Sequence, residues 1–259
     1  MLPSEDLERI AELKGISLSN TEKDYLQDLM LFSIYSITGK ELVFKGGTCL
    51  YKIYKLDRFS EDLDFTLIKK INIQKLSEKI ISNFNLLGIR VALKETKKFK
   101  NEINLRFLIN GPLYKGNKET QSFIPLNISL REKTIIDPIR ESIIPFYKEI
   151  PTFDVIVMPE NEILAEKIRA ILTREKARDI YDVWFLLKKR KTKLDINLIN
   201  RKLALYNLKF DINLFTKRLD KMHGLWETDL RNLLTSNIPD YESVKLDILS
   251  EIRQMSNDS

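Results

Sequence analysis

Apolar positions recur at helical spacing in SEDLERIAEL, residues 4–13, which predicts a short helix stopped near Gly15. A second helical pattern starts at about Thr21, opens with the cap-like TEKD and continues through DYLQDLMLFSIYSI. ELVF then reads as a short buried strand, CLYKIYKL returns to helical spacing, and LDFTL alternates as a strand does. Residues 74–87 predict another helix. Two strand-like runs follow, IRVALKE and INLRFLI, joined by the basic turn KKFKN, and IPLNISLRE supplies one more alternating segment. Pro138, Pro145, Pro151 and Pro159 punctuate a stretch expected to be irregular, because each proline disfavours helix in the residue before it. From Glu160 onward helical spacing dominates.

This order predicts an α+β chain: a mixed sheet with flanking helices over residues 1–158 and a helical domain over 159–259, with the boundary near 155–160. No repeat or low-complexity tract interrupts it. Lysine and arginine number 43 against 37 acidic residues, and the resulting charge of +6 suits either a polyanionic partner, such as nucleic acid or nucleotide, or a lysine-rich solvated surface. Cys49 has no partner cysteine, which implies a reducing, cytoplasmic setting. The amino-terminal MLPSEDLERI lacks the apolar core of a signal peptide, and no run approaches the roughly 18 apolar residues of a membrane span. His223 is the single histidine, so a histidine-rich zinc site and a Ser-His-Asp triad are poorly supported, and a structural role is expected for it.

The candidate chemistry lies in FKGGTCLYKIYKLDRFSEDLDFTL, residues 44–67. Strand alternation puts Asp62, Asp64 and Thr66 on one face and Leu63, Phe65 and Leu67 on the other. The two aspartate Cα atoms are then about 6 to 7 Å apart, close enough for both carboxylates to hold one hard cation or straddle two. Without a cation the two charges repel, whereas Mg²⁺ relieves the repulsion and supplies a Lewis acid for phosphoryl chemistry. The Gly46-Gly47-Thr48 turn lets backbone N–H groups approach an anion closely. It follows neither the Walker spacing nor G-x-G-x-x-G.

KGGT, then RFSEDLDF, and later ILAEKIRAILTREKARDIYDVWFLL together resemble the AbiEii/AbiGii-type nucleotidyltransferase toxins of the DNA polymerase β-like superfamily. The resemblance covers most of residues 41–188 and fades after about 195. It implies a nucleotidyltransferase domain, a helical domain completing the cleft, and transfer of nucleotide from an NTP. In characterised relatives the acceptor is the 3′ end of tRNA, and a separately encoded antitoxin counters toxicity. Carried over, Gly46, Gly47 and Thr48 meet the triphosphate, and Asp62 and Asp64 are the metal-binding pair. Arg58 stabilises phosphate charge, with a local ion pair to Asp57 or Glu61 as the competing reading, and Ser60 hydrogen-bonds near the metal site. In the later signature Leu164, Ile168, Ile171 and Leu172 form an apolar stripe, with Lys167 and Arg174 on another face. Lys167 matches the family's phosphate-holding lysine, and Asp179 matches the aspartate of its R-D pair. Arg178 is spaced to pair with Asp182, and Tyr181, Trp184 and Phe185 read as core rather than as a stacking platform.

One position departs from the pattern. IPLNISLRE resembles the family's D-x-S-x-R-E but carries Asn127 where a third carboxylate is expected. An amide can coordinate a cation through its oxygen but cannot accept a proton as a general base. Either another group deprotonates the acceptor, or activity is reduced or redirected. The expectation is a Mg²⁺-dependent nucleotidyltransferase acting on an acceptor hydroxyl, foremost the tRNA 3′ end. A catalytically silent nucleotide- or RNA-binding protein, and a transferase acting on protein or an aminoglycoside-like molecule, are the alternatives.

Overall fold

A computed structural model of the protein describes residues 1–234 and 236–257. They divide into two compact units: residues 1–55 with 59–158, and residues 56–58 with 159 onward.

The first unit begins with α1 (Ser4–Lys14), which ends at Gly15 in the left-handed region at φ 64°. Next comes α2 (Leu18–Tyr35), whose N-cap is Ser17, its hydroxyl accepting from the Asn20 amide at 3.2 Å. Thr21 is therefore already inside the helix, and the TEKD start expected from the sequence lies one turn late. The elements β1 (Leu42–Lys45), α3 (Gly46–Lys52), β2 (Leu63–Leu67) and α4 (Ile73–Leu86) follow. After them come β3 (Arg90–Lys98), β4 (Glu102–Asn110), β5 (Ser122–Ser129), β6 (Ile139–Ile143) and β7 (Phe153–Val157). The strands form one mixed sheet in the order β3-β4-β5-β2-β1-β7-β6. Strand β2 runs antiparallel to β1 and parallel to β5, which places three carriers of candidate chemistry side by side.

The stretch expected to be irregular contains two strands. Pro151 and Pro159 flank β7 without entering it, and β7 pairs parallel with β1 through Phe44 and Val157. Each proline thus spares a ladder hydrogen bond, which is how the strand tolerates them.

Alternating burial along β5 sends Ile124, Leu126 and Ile128 into the core, where Leu105, Phe107 and Ile109 of β4 join them. Helix α2 is buried on nearly every side and carries charge inward. Lys52 at the end of α3 donates to Asp24 at 2.8 Å and Asp28 at 2.5 Å, while Lys14 and the Tyr147 hydroxyl reach the other Asp24 oxygen. Burial raises the Asp24 carboxyl, but Lys52 and Lys14 outweigh it and hold the group at about 2. Burial also raises Asp28, and with Asp24 beside it the attraction of Lys52 does not restore the balance, leaving it at about 6. This network ties α3, and the turn at its start, to α2.

In the second unit, α5 (Glu160–Thr173) and α6 (Ala177–Trp184) run into a π-helical turn (Phe185–Lys189). The remaining helices are α7 (Ile196–Ala204), α8 (Ile212–Met222), α9 (Trp226–Leu230) and α10 (Tyr241–Asn257). Leu164, Ile168, Ile171 and Leu172 are all buried. Lys202 of α7 pairs with Glu162 at 2.7 Å and Glu166 at 3.0 Å, so the buried carboxylates of α5 are compensated. Tyr181 and Phe185 are buried, while Trp184 is half-buried and donates its indole N–H to Asp247 at 2.9 Å. His223 stacks on Tyr241 with ring centroids 4.6 Å apart. Among the described residues no helix is long and apolar enough to cross a membrane.

Candidate active site

The glycine turn and the aspartate strand of the first unit are packed against each other. Strand β1 ends at Lys45, opposite Asp64 in the antiparallel register, and Gly46 turns the chain into α3 with φ +77°. Two constraints select glycine there. The backbone lies in the left-handed region, and a Cβ at this position would sit 2.6 Å from Asp64 Oδ2. Gly47 and Thr48 complete the first turn of α3 and are buried. The Thr48 hydroxyl donates to the backbone carbonyl of Asp62. Its side chain therefore locks the turn onto the entry of β2, and its contribution to anion binding is left to the backbone.

Asp62 lies immediately before β2 and Asp64 within it. Both are half-buried, alternating with the buried Leu63 and Phe65. The loop leading to them is held by Gln27 of α2, whose side-chain amide donates to the carbonyls of Ser60 and Glu61 at 2.9 Å each. Glu61 pairs with Lys23. Nothing in the sequence pattern marks Gln27, because a glutamine inside a helix is ordinary and its target lies more than thirty residues away.

Asn127 is the partner of Asp64 in the parallel register of β2 and β5, and its Nδ2 donates to Asp64 Oδ1 at 3.0 Å. In this arrangement the amide acts as a donor that orients Asp64. The next rung carries Asn104 of β4 opposite Asn127, so an uncharged polar row continues from the aspartate across the sheet.

The donor set fits a hard divalent cation. The Asp64 carboxylate is oriented by the Asn127 amide and the Asp62 backbone by Thr48, and no group of three or more acidic, histidine or cysteine side chains able to hold a metal ion occurs among the described residues. Mg²⁺ in nucleotide enzymes is typically bound by one or two carboxylates, the remaining positions being water and substrate phosphate, so a pair suffices.

In the second unit Lys167 of α5 is buried and its Nζ contacts Asp179 Oδ1 at 2.8 Å and Asp182 Oδ2 at 2.6 Å. Asp179, fully buried, also receives both prongs of Arg174 at 2.7 and 2.9 Å. Burial raises its carboxyl, yet Lys167 and Arg174 overcome this and keep it below the ordinary carboxylate range. Arg58 belongs to this unit. Only 2% exposed, it forms a bidentate pair with Asp182, both distances 2.7 Å. Of the pairings that spacing suggests, Arg58 with Asp57 or Glu61 and Arg178 with Asp182, neither matches this geometry: Asp182 is held by Arg58 and Lys167. Asp57 instead accepts from the Tyr181 hydroxyl at 2.7 Å.

A family model described as nucleotidyl transferase AbiEii toxin, type IV toxin-antitoxin system, matches residues 30–249. JHP933 from Helicobacter pylori is 23% identical, with a TM-score of 0.64 over 94% of each chain. MenT4, a nucleotidyltransferase toxin from Mycobacterium tuberculosis, is 18% identical, with a TM-score of 0.68 over 99% of this chain and 90% of its own. At these identities the likeness is one of fold. No curated protein matches the sequence. The family match covers most of the chain, and the chain belongs to the AbiEii nucleotidyltransferase toxin family of type IV toxin-antitoxin systems.

Proposed function

We propose that this nucleotidyltransferase transfers a nucleotide from an NTP to the 3′-terminal hydroxyl of tRNA with Mg²⁺ as cofactor, working in the cytoplasm under the control of an antitoxin. The observation that supports the reading is the close fit of Gly46 against Asp64 Oδ2, which sets the glycine turn directly beside one of the two candidate metal carboxylates. Asp62 and Asp64 are the residues that would hold Mg²⁺, which when bound would polarise the phosphoryl oxygens. The backbone amides of Gly46, Gly47 and Thr48 receive triphosphate oxygens, and Asn127 keeps Asp64 oriented. The acceptor hydroxyl attacks the α-phosphorus, the bond to the bridging oxygen breaks, pyrophosphate leaves, and the hydroxyl proton passes to solvent. Most of the catalytic effect then comes from positioning and electrostatics, for which no general base at position 127 is needed.

Lys167 and Asp179 enter as the family's second signature. Two of the three ammonium donors of Lys167 are engaged by Asp179 and Asp182, which fixes the group while leaving one donor for a phosphate oxygen. Arg58 enters as a brace for Asp182, and Ser60 through the loop carbonyl that Gln27 holds.

The test is incubation with Mg²⁺, total tRNA and each labelled NTP in turn, resolved on a denaturing gel. Label on tRNA from a preferred NTP is expected. Label on protein, or on an added aminoglycoside, would move the acceptor to another class. No label anywhere, with NTP still bound, would favour a silent scaffold.

A further inference from the structure

The proposed chemistry leaves one large feature of the first unit without a role. A cavity of about 630 Å³ opens beside Asp62, between the start of α2, the loop joining β4 to β5, and the first residues of β5. Its size suits a small organic ligand or one nucleoside.

The cavity is braced in advance. Glu22, 3% exposed, accepts from the Leu113 amide at 2.6 Å and from the Ser122 hydroxyl, joining α2 to both ends of the loop. Gly111 packs so tightly on this carboxylate that a Cβ there would lie 2.6 Å from Oε1. Within the loop, Asn117 caps the turn Lys118–Thr120, and the Thr120 hydroxyl accepts from the Lys115 amide at 2.9 Å.

The charge balance separates the possible occupants. Glu22 is committed to the brace and Glu61 to Lys23. With Asp62 assigned to the cation, exposed Lys115 and exposed Glu119 remain and cancel. A triphosphate finds no excess positive charge here, and a polycation finds no excess negative charge. A neutral, flat, hydrogen-bonding group fits. Phe123 and Pro125 lie on the same outward face of β5 as Asn127, and the Arg106 guanidinium is 5.6 Å from the centre of the Phe123 ring. Stacking on such a ring is the usual way to hold an unpaired base.

We propose that this cavity receives the terminal nucleoside of the single-stranded acceptor RNA, its base against Phe123 and its sugar hydroxyl toward Asp62. The assignment rests on RNA being the acceptor and goes further in giving the acceptor a place distinct from that of the NTP.

The test uses the full chain and a fluorescein-labelled single-stranded 12-mer RNA, with binding read by anisotropy without NTP or Mg²⁺, so it does not depend on turnover. Phe123→Ala is expected to weaken RNA binding at least fivefold, and Phe123→Trp to restore it. Lys115→Glu, at an exposed position, is expected to weaken it and to raise the KM for RNA, with the KM for NTP unchanged. RNA affinity equal to that of the parent in both Phe123→Ala and Lys115→Glu overturns the proposal. So does a rise in the KM for NTP alone, which would give the cavity to the nucleotide, or kanamycin binding that these variants abolish while RNA binding stays intact. If the parent binds RNA, the variants do not, and no label reaches RNA in the transfer assay, the tRNA-transfer reading fails and with it the acceptor role, while the cavity stands as an RNA-binding site.

Discussion

Replacing Gly46 by alanine should damage catalysis far more than folding, and the structure sets the scale of both effects. The backbone at φ +77° is left-handed, which costs a residue with a Cβ about 1 to 2 kcal/mol. The new methyl would start 2.6 Å from Asp64 Oδ2 and 3.0 Å from its Cβ, so the carboxylate must retreat by at least about 0.4 Å to reach even the tight limit of 3.0 Å. Asp64 cannot retreat without stretching its bond from Asn127, now 3.0 Å, and losing that bond costs about another 1 kcal/mol. Thermal unfolding should therefore fall by about 2 to 3 kcal/mol, or roughly 4 to 12 °C for a chain of this size. Given the proposed role of Asp64 at the metal, a displacement of this size should lower nucleotide transfer by about a hundredfold. Melting curves and single-turnover transfer rates on the same preparation give both numbers. Transfer at the parent rate, with or without a drop in melting temperature, would refute the claim that this glycine is selected by its contact with Asp64.

Three further substitutions probe separate parts of the account. Arg58→Met leaves Asp182 with Lys167 alone in a buried setting and should cost about 3 to 5 kcal/mol in urea unfolding. Adding Asp182→Leu should recover much of that loss, whereas melting of the single variant together with the parent would show that the pair is not a brace. For Asn127→Asp, lost donation to Asp64 and added repulsion should lower the melting temperature in EDTA, and millimolar Mg²⁺ should shrink or reverse the deficit. Equal deficits in the two conditions would argue against a cation beside Asp64. Asp28, raised to about 6 by burial and by Asp24 despite Lys52, binds its proton more tightly in the folded than in the unfolded chain. Its contribution to stability is fully present below the ordinary carboxylate pKa and is lost as pH rises through about 6. The stability of Asp28→Asn relative to the parent should accordingly improve between pH 4 and pH 7, and a pH-independent difference would contradict this.

The elements legible in the sequence are those with one buried face. LDFTL and IPLNISLRE alternate because one face of each strand is buried and the other is not, and the same alternation leaves Asp64 and Asn127 on the half-buried face. Strand β7 escaped notice because FDVIV is a nearly continuous apolar run between prolines whose last three residues, Val155, Ile156 and Val157, are all buried and so show no alternation. Strand β6 is an edge strand with most of its side chains exposed, so it carries little alternation. At the candidate site, local spacing brings out the glycine turn and the aspartate pair. It cannot bring out Arg58 with Asp182, which are 124 residues apart, or Gln27 beneath the loop, because those contacts exist only after folding. Asn127 shows the same limit: the sequence exposes a missing carboxylate, and only the register of β2 with β5 turns the amide into a donor to Asp64.

The central claim is that Asp62 and Asp64 hold the catalytic cation for nucleotide transfer. Its most direct test is the Mg²⁺-dependent single-turnover rate of the parent against Asp62→Ala, with circular dichroism confirming that the variant is folded. Loss of the cation removes several kcal/mol of charge stabilisation, so the account predicts a rate lower by about a thousandfold or more. A folded Asp62→Ala variant that transfers nucleotide at the parent rate would contradict it.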